Sequence, residues 1–309
     1  MLINLKWCNY IFKKKFNSLT RLQGDASART YYRLSDTTTS YILSYGVPNP
    51  RFLAIQKLLL ENNIPIPKIY QQQNLLGKEY LLLEDLGNTS LVLYLLDSNE
   101  LTTYQKVIDL LIKMQKIDFV KYSIDTKFDD TTLLKEVKFA ITYFKPFFKK
   151  NYDYSLIEDG FSKICKIIAA HPMILTHRDF HGRNIMIKND QIYFIDFQDA
   201  RWGHPLYDLV SLIEDSYFKI SCKSKLKEYY FNNFYKDLGS LDDFNYYYDL
   251  IALQRIFKAL GSFIYLYQKK GKIRYLSYLS MAFENLKYFL TRHPEFGIEK
   301  TIMEIYYAN

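Results

Sequence analysis

The sequence predicts an α+β protein with a small, strand-rich N-terminal part and a larger, mainly helical C-terminal part. Short β-like runs separated by turn residues occupy the chain up to about residue 87. From there to the end, apolar residues recur at the spacing of amphipathic helices. One stretch, residues 175–199, breaks the helical pattern with acidic, amide and imidazole side chains, and it carries the functional signal.

Composition places the chain among ordinary globular proteins. It has 309 residues, enough for one large domain or two lobes, with 49% hydrophobic and 24% charged residues. No apolar run reaches membrane-spanning length, the first residues lack a signal-peptide pattern, and the three cysteines include no C-x-x-C pair. We therefore expect a cytoplasmic protein, a monomer or a weak dimer, with no membrane partner.

The formal net charge of +8 raises the question of nucleic-acid binding. The lysines are dispersed along the chain, and the 29 tyrosines and 22 phenylalanines form no basic-aromatic repeat of the RNA-binding kind. We therefore expect no nucleic-acid partner. The positive field would instead help to capture an anionic small molecule such as a nucleotide.

The N-terminal part is predicted to run strand, strand, strand, helix, strand, strand. Residues 19–45 contain two or three β-like runs with turn residues between them. Residues 51–63 follow with apolar side chains at helical spacing. The prolines in residues 64–73 favour an extended chain, and residues 78–87 form an apolar strand that ends in acidic residues and a glycine.

The C-terminal part is predicted to be helical on both sides of residues 175–199. The helical patterns cover residues 101–118, 131–150, 154–170, 208–217, 222–236, 248–270 and 275–293. Pro146 is expected to bend or interrupt the second of these helices.

Residues 175–199 read "LTHRDFHGRNIMIKNDQIYFIDFQD" and contain an ordered set of polar groups. His177, Asp179 and Asn184 form H-x-D-x(4)-N, and Asp196 follows after two short strands. Each feature alone is weak evidence, but the order of all four is specific. A solvated acidic hairpin whose carboxylates cap turns is the alternative without chemistry.

The two strands are predicted to form a hairpin that places Asn184 and Asp196 side by side at its open end. An amide oxygen and a carboxylate suit Mg²⁺ when nucleotide phosphates and water complete its ligands. Asp179 would then accept a proton from a substrate hydroxyl, as phosphoryl transfer from ATP requires. A zinc site made by His177, Asp179 and His181 is the competing hypothesis.

These residues resemble the aminoglycoside phosphotransferase and choline kinase-like superfamily, which shares the protein-kinase fold. The segments that carry the resemblance are "THRDFHGRN" and "IDFQDARWGHPLYDL". Further segments, "GDASARTYYRL", "LLLEDLG" and "LQRIFKALGSFIYLYQKKGKIRYL", are similar to the anomeric kinases that phosphorylate N-acetylmuramate and N-acetylglucosamine at the C1 hydroxyl in cell-wall sugar recycling. The resemblance extends over about residues 19–290.

The resemblance implies a bilobal protein-kinase-like fold and an ATP- and Mg²⁺-dependent small-molecule kinase. The nucleotide-binding lobe would be residues 1–87, with a hinge at 84–87, and the helical lobe with the acceptor site would be residues 88–309. Asp179 would be the catalytic base, and Asn184 with Asp196 would bind Mg²⁺. The acceptor would be a sugar hydroxyl.

On the nucleotide side, the resemblance makes the "GDAS" segment the turn over the phosphates, with the Ser27 hydroxyl among its donors. A plain turn without a ligand is the alternative. The backbone from Glu84 to Leu86 would bind adenine. The third strand lacks the lysine that protein kinases use for the phosphates, and we expect Arg29 or Arg33 to supply this charge. An exposed arginine with surface partners is the alternative at both positions.

Three further residues of the motif are given supporting roles by the resemblance. His177 is expected to be a structural histidine that supports the loop. His181 faces the transferred phosphate or lies on the surface of the loop. Asp208 either caps the helix that follows "GHPLY" or binds the catalytic loop from below.

On the acceptor side, Arg255 and Lys258 lie about one helical turn apart and share a face. Such a cationic face would suit the lactyl carboxylate of N-acetylmuramate. Asp199 and Arg201 are further candidates for contacts with hydroxyl groups, and Glu136 is a more distant candidate.

Three functions remain open from the sequence. The first is the amino-sugar kinase. The second keeps the fold and chemistry but transfers phosphate to an aminoglycoside, choline or another amino alcohol. The third is a nucleotide-binding pseudokinase that acts as a scaffold, which the missing strand lysine favours and the complete set of Asp179, Asn184 and Asp196 opposes.

Overall fold

A computed structural model describes residues 3–22, 29–96, 100–118, 126–148 and 152–307. The chain forms two compact units, and each is described by itself. The first unit contains Met1–Tyr94 and Arg183–Gln198, and the second contains Leu95–Gly182 and Asp199–Asn309. The first unit therefore includes the hairpin of the predicted metal pair. The lobe boundary at residues 84–87 stays a prediction.

Nine strands and eleven helices make up the described chain. The strands are β1 (Ser18–Leu22), β2 (Thr30–Ser35), β3 (Ser40–Gly46), β4 (Ile69–Leu75), β5 (Lys78–Glu84), β6 (Ile174–Thr176), β7 (Ile185–Lys188), β8 (Gln191–Phe194) and β9 (Arg201–Gly203). The helices are α1 (Leu5–Phe12), α2 (Pro50–Glu61), α3 (Leu91–Tyr94), α4 (Glu100–Gln115), α5 (Asp130–Phe147), α6 (Tyr154–Ala169), α7 (Leu206–Ile213), α8 (Lys223–Asn233), α9 (Leu241–Lys270), α10 (Leu279–Leu290) and α11 (Glu299–Tyr307).

The first unit is built on an antiparallel sheet with the strand order β1-β2-β3-β5-β4. Helix α2 lies between β3 and β4 in the chain, so the predicted order of strands and helix is confirmed. Asn49 caps this helix by accepting the Phe52 N–H, and Pro50 occupies the first turn, where its missing N–H is not needed.

Helix α1 was not predicted, and it belongs to the core of the first unit. Cys8, Phe12 and Phe16 pack against apolar side chains of the sheet, among them Leu34 and Leu82. The helix is only 8 residues long and is followed by three lysines, so its local pattern is weak. Burial of its apolar face against the sheet stabilises it instead.

The predicted hairpin is present as β7 and β8. Its turn residues, Asn189 and Asp190, both have positive φ angles, of 49° and 59°. A two-residue turn with two left-handed residues matches the twist of a hairpin, and Asn and Asp tolerate this conformation better than most side chains. The register pairs Ile185 with Phe194, so residues 184 and 195 come next at the open end.

The second unit is mainly helical, and α9 is its central element. This helix has 30 residues, a capping box at Ser240 and Asp243, and a left-handed glycine, Gly271, after its last turn. By length and composition α9 could cross a membrane, but 67% of its most apolar window is buried inside the protein. Such burial is typical of a core helix.

Helices α5 and α9 cross at very close range. A Cβ atom added at Gly261 would lie 2.3 Å from both the Cα and the Cβ atom of Ala140, far inside van der Waals contact. The glycine is therefore required by the close approach of the two helices, although glycine is a poor helix former.

We expect Gly261→Ala to destabilise the protein by about 1–3 kcal/mol, because the overpacked crossing outweighs the better helix propensity of alanine. Urea unfolding measures the change. Ser262→Ala is the matched control, since this neighbour donates only to the Lys258 carbonyl of its own helix. A Gly261→Ala protein as stable as the control would contradict the packing argument.

The buried His204 of the second unit lies against a second, partly buried histidine. The ring centroids of His171 and His204 are 4.2 Å apart, and His204 Nδ1 accepts the N–H of Leu206, the first residue of α7. Burial, with a smaller contribution from His171, lowers the pKa of His204 well below 6.5. His204 is therefore neutral in the folded protein near neutral pH.

The lowered pKa of His204 predicts a pH-dependent stability. Below about pH 6.5 the unfolded chain binds a proton at this histidine and the folded chain does not, so the unfolding free energy falls by up to about 1.4 kcal/mol per pH unit. His204→Asn keeps an acceptor for the Leu206 N–H and does not titrate. Its unfolding free energy should therefore change less between about pH 8 and about pH 5.5; equal changes in both proteins would exclude His204 as the cause.

Candidate active site

The loop that carries Asp179 begins at a short antiparallel pair of strands in the second unit. Thr176, the last residue of β6, pairs with Arg201, the first residue of β9, and its Oγ1 donates to the Arg201 carbonyl at 2.9 Å. A Cβ atom at Gly203 would lie 2.9 Å from Thr176 Oγ1, so a larger residue there would displace the side chain that binds the Arg201 carbonyl. Residues 177–182 leave the strand from this fixed point.

Asp208 fixes the loop from α7. Its Oδ2 accepts the His177 N–H at 2.6 Å and its Oδ1 accepts the Arg178 N–H at 2.9 Å. The carboxylate is fully buried, and burial raises its pKa, against the lowering effect of His177 and of these two amides. Of the two predicted alternatives, Asp208 therefore binds the loop that carries Asp179, and the cap position of α7 is Pro205.

Asp179 follows a strained residue and lies among positive charges. Arg178 has a φ angle of 79°, which is uncommon for a side chain of this size and is maintained by the Asp208 bond. Lys258 Nζ lies 3.7 Å from Asp179 Oδ1. Burial alone would raise the pKa of Asp179, but Lys258 and Arg178 outweigh it and hold that pKa well below its ordinary value. The carboxylate is therefore ionised and stays so in mild acid.

The cations around Asp179 also neutralise a second acid. Glu136 of α5 lies 2.9 Å from Arg178 Nη2 and 3.6 Å from Lys258 Nζ, and Gln254 donates to it at 3.2 Å. Burial would raise the pKa of Glu136, but Lys258 and Arg178 lower it overall. The residue that the sequence suggested only as a distant candidate is thus part of the charge network around Asp179.

The other predicted acceptor residues of the second unit lie in the same network. Arg255 donates to the Arg178 carbonyl at 3.1 Å, and its guanidinium lies 4.6 Å from the centroid of the Tyr207 ring. Asp199 is 3.0 Å from Arg178 and 3.8 Å from Arg201. Arg255 therefore supports the loop that carries Asp179 directly, and the contacts of these residues with an acceptor stay predictions.

The two loop histidines differ in environment. His177 is fully buried with its ring edge-on to Phe180, which fits the expected structural role. His181 is half-buried, and its ring lies 5.5 Å from that of Tyr217. Within the residues that the structure describes, no group of three or more His, Cys, Asp or Glu side chains could bind a metal ion. The three residues of the alternative zinc site, His177, Asp179 and His181, therefore do not form such a group in this structure.

The first unit places the backbone of the predicted metal pair at the open end of the hairpin of β7 and β8. The Ile195 N–H donates to the Asn184 carbonyl at 3.0 Å, which extends the hairpin to the position before Asp196. Asp196 is exposed, has a φ angle of 65°, and its Oδ1 accepts from Gln198 at 2.7 Å. One amide and one carboxylate oxygen fit Mg²⁺ by their chemistry, with phosphate and water oxygens needed for the remaining positions.

The predicted hinge is fixed by Arg33 of β2. Its guanidinium binds Asp85 with two hydrogen bonds, of 2.6 and 3.0 Å, and also donates to the Gly87 carbonyl at 3.1 Å. Lys188 of β7 binds the Glu84 carboxylate and the Asp85 carbonyl, both at 2.9 Å. These contacts fix the backbone of residues 84–87, including the Leu86 that was predicted to bind adenine.

Arg29 lies beside β3, the strand that lacks the expected lysine. Its Nε donates at 2.7 Å to the hydroxyl of Ser44 on β3, and its Nη1 lies 2.9 Å from the buried Glu79 carboxylate of β5. Gly46 leaves room for it, since an added Cβ would lie 3.0 Å from Arg29 Cγ. The structure thus distinguishes Arg29, next to β3, from Arg33, which is bound to the hinge. Ser27 lies outside the described residues.

The fold and this set of residues define a phosphotransferase of the protein-kinase-like class. The profile of the phosphotransferase enzyme family matches residues 18–237, and the chain belongs to this family. The resemblance noted in the sequence and the predicted bilobal, kinase-like α+β fold class are confirmed.

Two curated relatives that carry the same name match most of the chain. The chain is 26% identical over 296 residues to an N-acetylmuramate/N-acetylglucosamine kinase of Neisseria meningitidis serogroup B. The matched region covers 88% of this chain and 86% of the relative. It is also 26% identical over 288 residues to the enzyme of the same name from Pseudomonas aeruginosa, covering 88% and 83%.

Solved structures share the fold at lower identity. A spectinomycin phosphotransferase in complex with ADP and spectinomycin has a TM-score of 0.67 at 15% identity, over 92% of this chain and 99% of that chain. An aminoglycoside phosphotransferase in complex with ADP and hygromycin B has a TM-score of 0.61 at 13% identity, over 92% and 97%.

Proposed function

We propose that the protein is an ATP- and Mg²⁺-dependent kinase that transfers the γ-phosphate to a sugar hydroxyl, namely the C1 hydroxyl of N-acetylmuramate or N-acetylglucosamine. It would act in the cytoplasm as a monomer or weak dimer, on small molecules alone. The proposal rests on Asp179, an ionised carboxylate on a loop that Asp208 fixes through two backbone amides.

Asp179 would bind the acceptor hydroxyl and accept its proton. Because its pKa is low, the carboxylate is a weak base, and its main effect is to orient the oxygen toward the phosphoryl group. Proton transfer then occurs late, when phosphorus–oxygen bond formation has made the hydroxyl acidic. The C1 hydroxyl of a free sugar is a hemiacetal and more acidic than other sugar hydroxyls, so a weak base suffices there.

Asn184 and Asp196 would bind Mg²⁺, which would neutralise charge on the phosphates of ATP. Arg29 would bind the phosphates in place of the missing lysine. Its guanidinium carries a permanent charge and lies beside Ser44 of β3, which supports this assignment over Arg33. The hinge backbone at Glu84 and Leu86 would bind adenine. The ADP complexes of the two related folds support the use of a nucleotide.

The acceptor is assigned to the amino sugars for two reasons. The curated relatives over most of the chain are named N-acetylmuramate/N-acetylglucosamine kinases. In addition, the acids near Asp179 already have cations of this chain as partners: Glu136 pairs with Arg178 and Lys258, and Asp199 pairs with Arg178 and Arg201. A polycationic aminoglycoside would have to compete with these cations, whereas a neutral or anionic sugar would not.

The scaffold hypothesis is weaker for a physical reason. Clustering Asp179 and Glu136 needs buried cations to compensate their charges, and Asp208 is buried at a raised pKa to support the loop. A protein that only binds a nucleotide gains nothing from such an arrangement.

The first experiment incubates the protein with ATP, Mg²⁺ and a panel of amino sugars, aminoglycosides and choline, and follows ADP and the phosphorylated product. We expect turnover of N-acetylmuramate or N-acetylglucosamine with the phosphate on C1. Asp179→Asn should lower kcat by roughly 100-fold or more with little change in ATP binding, because the oriented base is lost.

The panel separates the hypotheses. Product on an aminoglycoside or on choline alone would contradict the amino-sugar assignment, and a phosphate on another hydroxyl would contradict C1. Bound ATP without any phosphorylated acceptor would favour the scaffold. Asp242→Asn, an exposed acid in the first turn of α9, is the matched control and should leave kcat unchanged.

A second experiment concerns the nucleotide side. Arg29→Gln should raise the KM for ATP about 10- to 100-fold, since a charge-assisted bond to phosphate is lost, while the acceptor KM stays within about twofold. Arg29→Lys should recover part of the loss. Fluorescent ADP binding and urea unfolding show whether each variant is folded. A folded Arg29→Gln protein with an unchanged KM for ATP would exclude Arg29 as the phosphate ligand.

A further inference from the structure

A buried carboxylate after the end of α7 connects two loops of the second unit. Asp215 Oδ2 accepts the N–H of Gly182, three residues after Asp179, at 3.1 Å, and its Oδ1 accepts the N–H of Tyr217 at 2.8 Å. Asp215 is only 7% exposed. One rigid side chain therefore sets the position of the Tyr217 backbone relative to the catalytic loop.

The connection parallels the one made by Asp208. Asp208 binds the two amides before Asp179, and Asp215 binds an amide after it, so carboxylates at both ends of α7 position the same loop. Each oxygen of Asp208 accepts one amide of that loop. One oxygen of Asp215 accepts an amide of that loop, and the other accepts the amide of Tyr217. The bond to Tyr217 is not needed to position Asp179 alone.

The Tyr217 ring is supported on several sides by aromatic rings. Its centroid lies 5.0 Å from that of Tyr278 at a perpendicular angle and 5.4 Å from that of Phe263. Phe263 is buried, whereas Tyr217 and Tyr278 remain half-exposed. On the side of the catalytic loop, the Tyr217 ring lies 5.5 Å from the ring of His181. Tyr217 is thus an ordered, partly exposed ring next to the residue two positions after Asp179.

A fixed aromatic ring of this kind fits one face of a pyranose. The C–H groups of a sugar ring form an apolar face that packs on aromatic side chains, while its hydroxyls seek polar groups. Tyrosine adds a phenol group that can bind a hydroxyl, and it loses little conformational entropy because two torsions define it. The charged side chains around Asp179 provide polar contacts but no apolar surface for the ring.

We infer that Tyr217 packs against the sugar ring of the acceptor and that Asp215 is the positioning residue that sets Tyr217 relative to Asp179. The inference rests on the proposed kinase function and adds the residue that recognises the ring of the acceptor. Tyr278 and Phe263 support Tyr217 from behind.

The test measures acceptor binding and turnover separately. Saturation-transfer NMR with N-acetylglucosamine, without ATP, reports binding, and steady-state kinetics reports KM and kcat for the sugar and for ATP. Tyr217→Ala should weaken sugar binding and raise the sugar KM about tenfold, equivalent to about 1.4 kcal/mol, with the ATP KM within about twofold. Tyr217→Phe should retain most of the binding because it keeps the ring.

Asp215→Asn should raise the sugar KM and also lower kcat, because an amide offers one acceptor oxygen to two N–H donors and both loops lose their relative position. The split between KM and kcat distinguishes this positioning role from a loss of fold, which urea unfolding monitors. Tyr288→Ala, on the exposed face of α10 at 59% exposure, is the matched control and should change neither constant.

The outcomes separate the two proposals. If the wild-type protein binds the sugar without phosphorylating it, the kinase function is contradicted, and weaker binding by folded Tyr217→Ala would still support the Tyr217 contact. A protein that phosphorylates the sugar with an unchanged KM in folded Tyr217→Ala would overturn the inference alone. A wild-type protein that neither binds nor phosphorylates any sugar of the panel would overturn both.

Discussion

The bond between Asp208 and the loop that carries Asp179 is the interaction on which the candidate site of the second unit depends. After β6 the chain turns through a left-handed residue, Arg178, and the amides of His177 and Arg178 lose their strand partners inside the protein. A carboxylate can accept both N–H groups, and α7 delivers one at 2.6 and 2.9 Å. Burial makes this carboxylate unfavourable when ionised, and the two bonds offset only part of that effect, so its pKa remains raised.

Charge compensation is the second constraint, and it follows from the first. The turn at Arg178 directs its guanidinium to Glu136 and Asp199, so the same residue shapes the loop and neutralises two acids. Lys258 adds a charge between Asp179 and Glu136. Because desolvated charges need partners, removal of one cation would leave a buried acid unpaired and shift its protonation. The low pKa of Asp179 is therefore a property of the network rather than of the loop alone.

The sequence predicted those features that local patterns determine. Helical periodicity, the turn at Asn189 and Asp190, and the order of polar residues between 175 and 199 are short-range signals. They predicted the order of strands and helices along the chain, the hairpin and the α+β class, whereas the kinase-like fold came from the family resemblance. Contacts between residues about 50 positions apart in the chain could not be predicted from these local patterns. Arg29 and Arg33 looked equivalent in the sequence, and only the packing of the sheet brings one to Glu79 and the other to Asp85. Helix α1 was missed because tertiary burial, not propensity, stabilises it.

A positive charge, that of Arg29, lies beside β3 although the strand itself has no lysine. Arg29 extends from the start of β2 to Ser44, whose small side chain accepts its Nε–H, and Gly46 provides the space for its aliphatic carbons. Glu79 then neutralises the guanidinium from β5. A lysine restored at position 44 would bring a second cation against this one carboxylate and would remove the hydroxyl that orients the first. Residues 29, 44 and 46 therefore act together to hold this guanidinium beside β3. An absent lysine at a single strand position is for that reason weak evidence for an inactive enzyme.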